Sequence, residues 1–376
     1  MPRFAYPRSV GTRALVIGGT GPTGPFIVNG LRARGFAVAM LHSGRHERDE
    51  IPGDVEHLHS DPFDEAALAA ALAGRSFDVC VATYGRLRAT ARVMVGRCAQ
   101  FVSVGGGPAY LGYMNAATWR PAGMPVPTRE DAPLVAREAD DAKGFRIART
   151  EERVFALHPG ATHYRYPYVY GPHQLVPREW CIVRRIRDAR PFIVLPEGGL
   201  TLCSYGYAEN LAHAVLLAVD QPRTAAGQIY NCADEEALTL RQVVEIVRDA
   251  LGAKLEIVSL PADLAVPARP LLMQPWTTHR VFDLSKLQSE LGYRDVVPAR
   301  EALARTARWL SEHPLERSGA EEKILQDPFD YAAEDALVAG WRRALASLPA
   351  VEWKRAPGYT ASYSGPGGTP RTGEFE

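Results

Sequence analysis

Lysine is almost missing from the first two thirds of this chain: Lys143 is the only one before Lys254, and arginine carries the positive charge elsewhere. An isolated amine in such a sequence is a candidate for chemistry, because an ammonium titrates where a guanidinium does not. Net charge is missing too. With 43 basic and 43 acidic residues, the balance argues against an electrostatic nucleic-acid binder. The densest basic cluster, Arg184, Arg185, Arg187 and Arg190, reads as a helix with a solvated face or as contacts to an anionic substrate. No apolar run approaches the roughly 18 residues of a membrane helix. The N-terminal MPRFAYPRSVGTR has no apolar signal core, so a cytoplasmic protein without membrane partners is expected. The five cysteines are scattered and form no CxxC pair, which argues against structural zinc and suggests small buried hydrophobes in a reducing compartment. His57 and His59 share one face of a strand, but no nearby carboxylate or cysteine completes a ligand set, and no metal is expected. Internal repeats are absent.

What is present starts at Ala14. The run ALVIGGTGPTG is an apolar strand leading into a glycine-rich turn with Gly18, Gly21 and Gly24 three residues apart, followed by the helix-like Pro25-Phe26-Ile27-Val28. This is a dinucleotide-binding fingerprint: the turn reverses tightly, backbone approaches a pyrophosphate without an intervening Cβ, and the helix start offers free N–H groups. Thr20, Pro22 and Thr23 belong to the same loop. The second strand ends in His42-Ser43-Gly44-Arg45-His46. An NAD-selective site places an acid there to hold the ribose hydroxyls. Ser43 and Arg45 would instead accept a 2′-phosphate, which favours NADP, with NAD as the alternative and a solvated Arg45 as the bland reading. Asp61, after the third strand, is placed for the adenine or for capping the helix over Ala67–Ala73.

Strands near Ala14, Ala37, Val55, Val79 and Gln100 alternate with helices, so the predicted fold is α/β, a Rossmann-type doubly wound parallel sheet. Residues 105–141 read as loops over the carboxyl ends of the strands, where such sheets bind ligands. The expected organisation is a dinucleotide-binding domain at 12–170, a smaller mixed α/β substrate lobe at 171–300, a helical extension at 301–350 and a flexible tail at 351–376.

Together, Gly18-x-x-Gly21-x-x-Gly24, Asp61, the strand Phe101-Val102-Ser103-Val104-Gly105-Gly106, the segment Arg165 to Pro172, and Asp283-Leu284-Ser285-Lys286-Leu287 through Tyr293 resemble the extended short-chain dehydrogenase/reductase superfamily. GGTGPTG before LHSGR, Trp180 to Leu200, and His279-Arg280-Val281-Phe282-Asp283 are most similar to an atypical branch that includes the chloroplast stem-loop-binding proteins. The resemblance covers about residues 12 to 312. It implies that Ala82, Thr83, Val104, Tyr166, Pro167 and Val169 also contact the cofactor, and that Gly106, Tyr170, Arg178, Trp180 and Tyr205 contact substrate. Dimerisation through two helices of the first domain is common in the superfamily, so a homodimer is a further expectation.

Catalysis in that superfamily rests on a Tyr-x-x-x-Lys pair and a Ser or Thr, and this chain departs from the pattern. No Tyr from Tyr84 to Glu152 has Lys four residues later. Placing the helix that follows Asp141 on the family helix puts Phe145 at the Tyr position and Arg149 at the Lys position, and the hydroxyl position falls on Gly106. A phenyl ring cannot exchange a proton. Proton transfer is therefore expected from another group: Tyr84, Tyr113, Lys143 or Tyr168. The resulting expectation is an NADP(H)-dependent oxidoreductase that moves hydride to or from a carbonyl or hydroxyl of a small molecule. The alternatives are a nucleotide-sugar epimerase or dehydratase with tightly bound NAD, and a non-catalytic dinucleotide-binding or RNA-associated protein.

Overall fold

Alternation of short apolar strands with helices builds the expected parallel sheet. The structure, a computed structural model, describes residues 11–44, 48–83, 86–355 and 357. Strands β1 (Arg13–Ile17), β2 (Ala37–His42), β3 (Glu56–His59), β4 (Phe77–Ala82), β5 (Cys98–Gly106) and β6 (Thr162–Tyr166) lie in the order β6-β5-β4-β1-β2-β3. The strand Ile229–Asn231 adds beyond β6, and every pairing is parallel. The chain reverses direction across the sheet beside β1, and that switch point opens a crevice at the strands' carboxyl ends.

Side chains of period two sort to the sheet's two faces. Ala14, Val16, Val38, Met40 and Val79 join one core with Ile27, Val28 and Leu31 of α1 (Gly24–Ala33). Leu15, Ile17, Ala39, Leu41 and Cys80 join the other, under α2 (Glu65–Ala71), α3 (Leu87–Val93) and α4 (Ala142–Leu157). Cover on both faces explains the almost continuous apolar strands. Asp64 and Asp141 start α2 and α4 by accepting backbone N–H groups. The α2 cap is thus Asp64. Asp61, considered for that role, accepts the Phe63 N–H at 2.8 Å instead.

A second core gathers Trp180, Ile182 and Val183 of α5 (Trp180–Arg187) with Ile193 and Leu195, the helix Leu240–Ala250 and the helix Ala299–Glu312. Strands Phe192–Pro196 and Glu256–Leu260 pair in parallel beside these helices, which makes this a mixed α/β lobe. The capping box of Thr239 and Gln242 fixes the start of Leu240–Ala250. The first two arginines of the cluster are neither a solvated face nor a substrate contact, because they are buried in this lobe, whereas Arg187 is exposed. Arg184 pairs with Asp188 and Glu322, and Arg185 with Asp327. The lobe encloses this short helix, and a guanidinium taken out of water there needs the carboxylate that meets it.

Another buried arginine braces the sheet. Arg165 of β6 is 2% exposed. Its Nε and Nη2 donate to the two carboxylate oxygens of Glu151 on α4 at 2.9 and 2.6 Å, and its Nη1 donates to the Tyr110 hydroxyl and the Glu130 carbonyl, each at 2.8 Å.

Contacts divide the chain into two units, 1–329 and 330–376. The second carries the helix Tyr331–Ala346, whose first turn is capped by Asp330. Much of the tail expected from residue 351 lies outside the described residues. Among the described residues no helix is long and apolar enough to cross a membrane. All five cysteines are free.

Candidate active site

The glycine loop between β1 and α1 is shaped by close approaches. A Cβ on Gly24 would meet the Gly19 carbonyl oxygen at 2.0 Å, and one on Gly19 would meet the Met40 sulfur at 2.2 Å. Gly18 has φ +95°, in the region that favours glycine. Gly19, which the three-residue spacing passed over, is crowded by the flexible Met40 side chain, whereas Gly24 is held against backbone; the signal for Gly19 was the Gly18-Gly19 doublet. Thr23 precedes α1 without a side-chain cap; the Gly24 N–H donates to the Gly21 carbonyl at 2.9 Å and Pro25 has none, which leaves the Phe26 N–H of the first turn for an anion. The loop, its bare helix start and its bare cradle fit a dinucleotide pyrophosphate.

One cavity of about 380 Å³ joins this loop to the far side of the crevice. Of the expected cofactor residues, Gly18, Gly21, Pro22, Thr23, Thr83, Tyr166, Pro167 and Val169 line it. Thr83 Oγ1 donates to the Ile17 and Gly18 carbonyls at 3.3 and 3.4 Å. Three of the expected proton-transfer candidates, Tyr113, Lys143 and Tyr168, also line the cavity, as does Arg178. Arg45 and Tyr84 lie outside the described residues.

Other expected residues stand elsewhere. Thr20 offers its carbonyl to Arg48 Nε at 2.9 Å, and Gly24, Ser43, Val104 and Gly106 are not in the cavity wall. Ala82 points into the opposite core. Tyr170, expected at the substrate, is fully buried, and its hydroxyl bonds Asp234 at 2.7 Å. Trp180 is buried too and donates Nε1–H to Glu322 at 2.9 Å. Tyr205 packs edge-on against Tyr168 beside the second core. In each case an aromatic ring that reads as a pocket wall finds its partner in the lobe interior.

The first turn of α4 separates Lys143 from Phe145. Lys143 reaches the cavity, whereas Phe145 does not line it and lies under the Arg149 guanidinium, 5.2 Å from ring centroid, with Arg149 also paired to Glu152. The reason is Gly144: a Cβ there would meet the Pro108 carbonyl oxygen at 2.4 Å, so α4 presses against the segment after β5 and presents Lys143 at that point. Lys143 forms no ion pair among the described residues, is exposed to solvent, and is the amine the cavity offers.

The two tyrosines differ. The Tyr168 hydroxyl donates to the Val176 carbonyl at 2.6 Å and accepts the Arg178 N–H at 2.9 Å, and burial pushes its pKa far up. It is committed to holding the loop. The Tyr113 ring packs between Phe282 and Arg280, and its hydroxyl has no hydrogen-bond partner among the described residues; burial raises its pKa, partly countered by Arg280 and Arg178. Arg280, Met114, Leu175, Val176 and Met273 complete the wall and were missed from sequence. Arg280 sits in the HRVFD run that carries part of the family resemblance, but a single strand-end arginine carries no sign of where it points.

The end of β2 gathers three imidazoles. His42 joins His57 and His59, with one nitrogen from each within 4.8 Å of the others. The His42 Nδ1 accepts the Gly44 N–H at 3.2 Å, and its Nε2 is 3.0 Å from His57 Nδ1. His42 thereby adds a third imidazole to the two weighed from sequence, and the three form a candidate metal-ligand set.

No family model matches the chain. The chain is 30% identical over 166 residues to the uncharacterized protein YbjS of Escherichia coli, a match covering 39% of this chain and 48% of YbjS. It is 28% identical over 324 residues to a 3-diazoavenalumate denitrifying reductase of Streptomyces, covering 82% of this chain and 98% of the reductase. Its fold superposes on the Bordetella bronchiseptica enzyme WbmG in complex with NAD, with TM-score 0.64 and 15% identity over 82% of this chain and 96% of WbmG. The sheet order and the glycine loop are those of the Rossmann-type fold that this chain shares with solved epimerases and dehydratases.

Proposed function

We propose that this protein is an NADP(H)-dependent reductase of small carbonyl or similarly electrophilic compounds, with Lys143 as the proton donor in place of the superfamily's tyrosine. The observation that carries this is a cavity whose wall holds both the glycine loop and an amine with no ion pair among the described residues. The loop of Gly18, Gly21, Pro22 and Thr23 would hold the pyrophosphate, and Tyr166, Pro167 and Thr83 would flank the nicotinamide. When bound, the dinucleotide supplies the hydride. The chain's own residues then handle the proton: the Lys143 ammonium gives one N–H proton to the oxygen that gains charge as hydride reaches its carbon, and Tyr113 donates a hydrogen bond that orients that oxygen. Because Lys143 is exposed, solvent restores its proton.

The histidines at the end of β2 support NADP. His42 occupies the place where an acid would repel a 2′-phosphate, and His57 and His59 add donors beside it. Similarity to the Streptomyces reductase over most of both chains supports reduction over epimerisation. The NAD-bound structural neighbour keeps a second reading in view, an epimerase or dehydratase with tightly held NAD. Steady-state assays separate the two. NADPH consumption with a panel of aldehydes, ketones and aryl diazo compounds is the expected result; NAD retained through purification, with no NADPH consumption, would favour the second.

A further inference from the structure

Four arginines are buried among the described residues: Arg165, Arg184, Arg185 and Arg280. The first three each hold a carboxylate. Arg280 holds none. It is 2% exposed, its Nη2 donates to the Leu272 carbonyl at 2.7 Å, and its Nε and Nη1 are buried without a hydrogen-bond partner. Arg178 repeats the pattern on the same wall, with Nη1 on the Pro270 carbonyl and a buried Nε that has no partner. Glu179 is the carboxylate that acts on Arg178, but its Oε2 takes Gln174 Nε2 at 2.8 Å and the Tyr168 hydroxyl at 3.4 Å.

A guanidinium cannot shed its charge, and a buried one without an anion is strongly unfavourable. Proteins keep such a group where a ligand completes it. The cavity wall contains Lys143, Arg178 and Arg280 and no aspartate or glutamate, so the missing anion is not supplied by the wall. We infer that Arg280 and Arg178 form a carboxylate subsite, so that the substrate is a small acid with an apolar body, its carboxylate at the arginines and its reducible group toward Lys143. Two features favour a carboxylate over a nucleoside diphosphate. Besides the three cations the same wall holds Met114, Leu175, Val176, Met273 and the two tyrosine rings, which suits an alkyl or aryl body and gives sugar hydroxyls little to bond. The cavity's volume, about 380 Å³, is also shared with the dinucleotide end. An arginine edge presents two N–H groups at the spacing of a carboxylate.

This inference rests on the reductase reading, and one experiment separates the two. The full chain, with and without saturating NADP+, is titrated calorimetrically with trans-cinnamate, with cinnamamide as the uncharged isostere, and with UDP. Cinnamate is expected to bind at least about tenfold more tightly than cinnamamide, as a hydrogen-bonded charge predicts. Arg280→Met should remove that advantage and leave cinnamamide unchanged. Arg178→Met, on a different segment, guards against a folding artefact and should weaken cinnamate in the same direction, while Arg280→Lys keeps part of the affinity. Equal binding of acid and amide, indifference of cinnamate to both arginine variants, or arginine-dependent UDP binding tighter than cinnamate would overturn the subsite. If no nicotinamide dinucleotide binds, the reductase reading fails by itself, and the Arg280 dependence of cinnamate in the dinucleotide-free protein still decides the subsite.

Discussion

Arg165 and Arg280 are equally buried, at 2% exposure each, and differ in everything else. Arg165 sits between β6 and α4 with every nitrogen engaged: two bonds to Glu151, one to Tyr110 and one to the Glu130 carbonyl. Its surroundings extend the network, with the Tyr110 hydroxyl donating to Asn231 at 2.6 Å and Ser103 Oγ 2.8 Å from His163 Nδ1. Arg280 faces a cavity with one nitrogen bonded. A completed charge network locks sheet to helix, whereas an incomplete one at a cavity wall is poised for a ligand. Burial of a charge is therefore not informative by itself. Its set of partners is.

The comparison is broken most severely at Glu151. Glu151→Ala would strand the Arg165 charge, and equilibrium denaturation should show a loss of about 3–5 kcal/mol. A loss under about 1 kcal/mol would mean that the network does not brace the fold. Next is the acid response of the same region. Burial, with help from Arg165 and against Glu151, lowers the His163 pKa to about 4 from 6.5. Between those values the unfolded chain binds a proton that the folded chain does not. Stability is thus full above pH 6.5 and falls by roughly 3 kcal/mol as pH drops to 4. His163→Gln should flatten that slope; an unchanged slope would assign the acid sensitivity to other groups.

The cavity gives smaller energies and larger functional effects. Lys143→Met should lower kcat about 100-fold or more while NADPH affinity and thermal stability hold, because it removes a general acid and no dinucleotide contact. Full activity in that variant would return the proton step to Tyr113. His42→Asp should move coenzyme preference toward NADH by about tenfold, because a carboxylate at that position would repel the 2′-phosphate. The ratio of kcat/KM values for NADPH and NADH measures that shift, and an unchanged ratio would place the 2′-phosphate away from His42. Smallest is the stability effect of Arg280→Met in the ligand-free protein. Removing an unpaired buried charge should be neutral or stabilising, within about 1 kcal/mol of wild type. A loss like that of Glu151→Ala would show that Arg280 is structural after all.

The sheet and its order were legible in the sequence because they rest on local signals: apolar runs of strand length, a glycine loop between the first strand and helix, and helices of matching period. The glycine loop that lines the cavity was legible for the same reason, since loop and helix are consecutive in the chain. The rest of the cavity wall was not. Tyr113, Lys143, Arg178 and Arg280 come from four separate segments, and Trp180 and Tyr170 read as equally good wall residues until packing turned them inward. Two shifts had small causes. Lys143, and not Phe145, reaches the cavity because Gly144 lets α4 touch the Pro108 carbonyl. His42 joins His57 and His59 because β2 and β3 pair in a register that sets His42 opposite His59 and Met40 opposite His57. Neither arrangement has a sequence signature.

The most direct test of the account is a paired titration of the purified protein and its Lys143→Met variant with NADPH and NADH, followed by nicotinamide fluorescence. Binding of NADPH at least about tenfold more tightly than NADH, alike in both proteins, with turnover of carbonyl substrate by the wild type alone, is the predicted result. Failure of either dinucleotide to bind, or equal turnover by the two proteins, would contradict it.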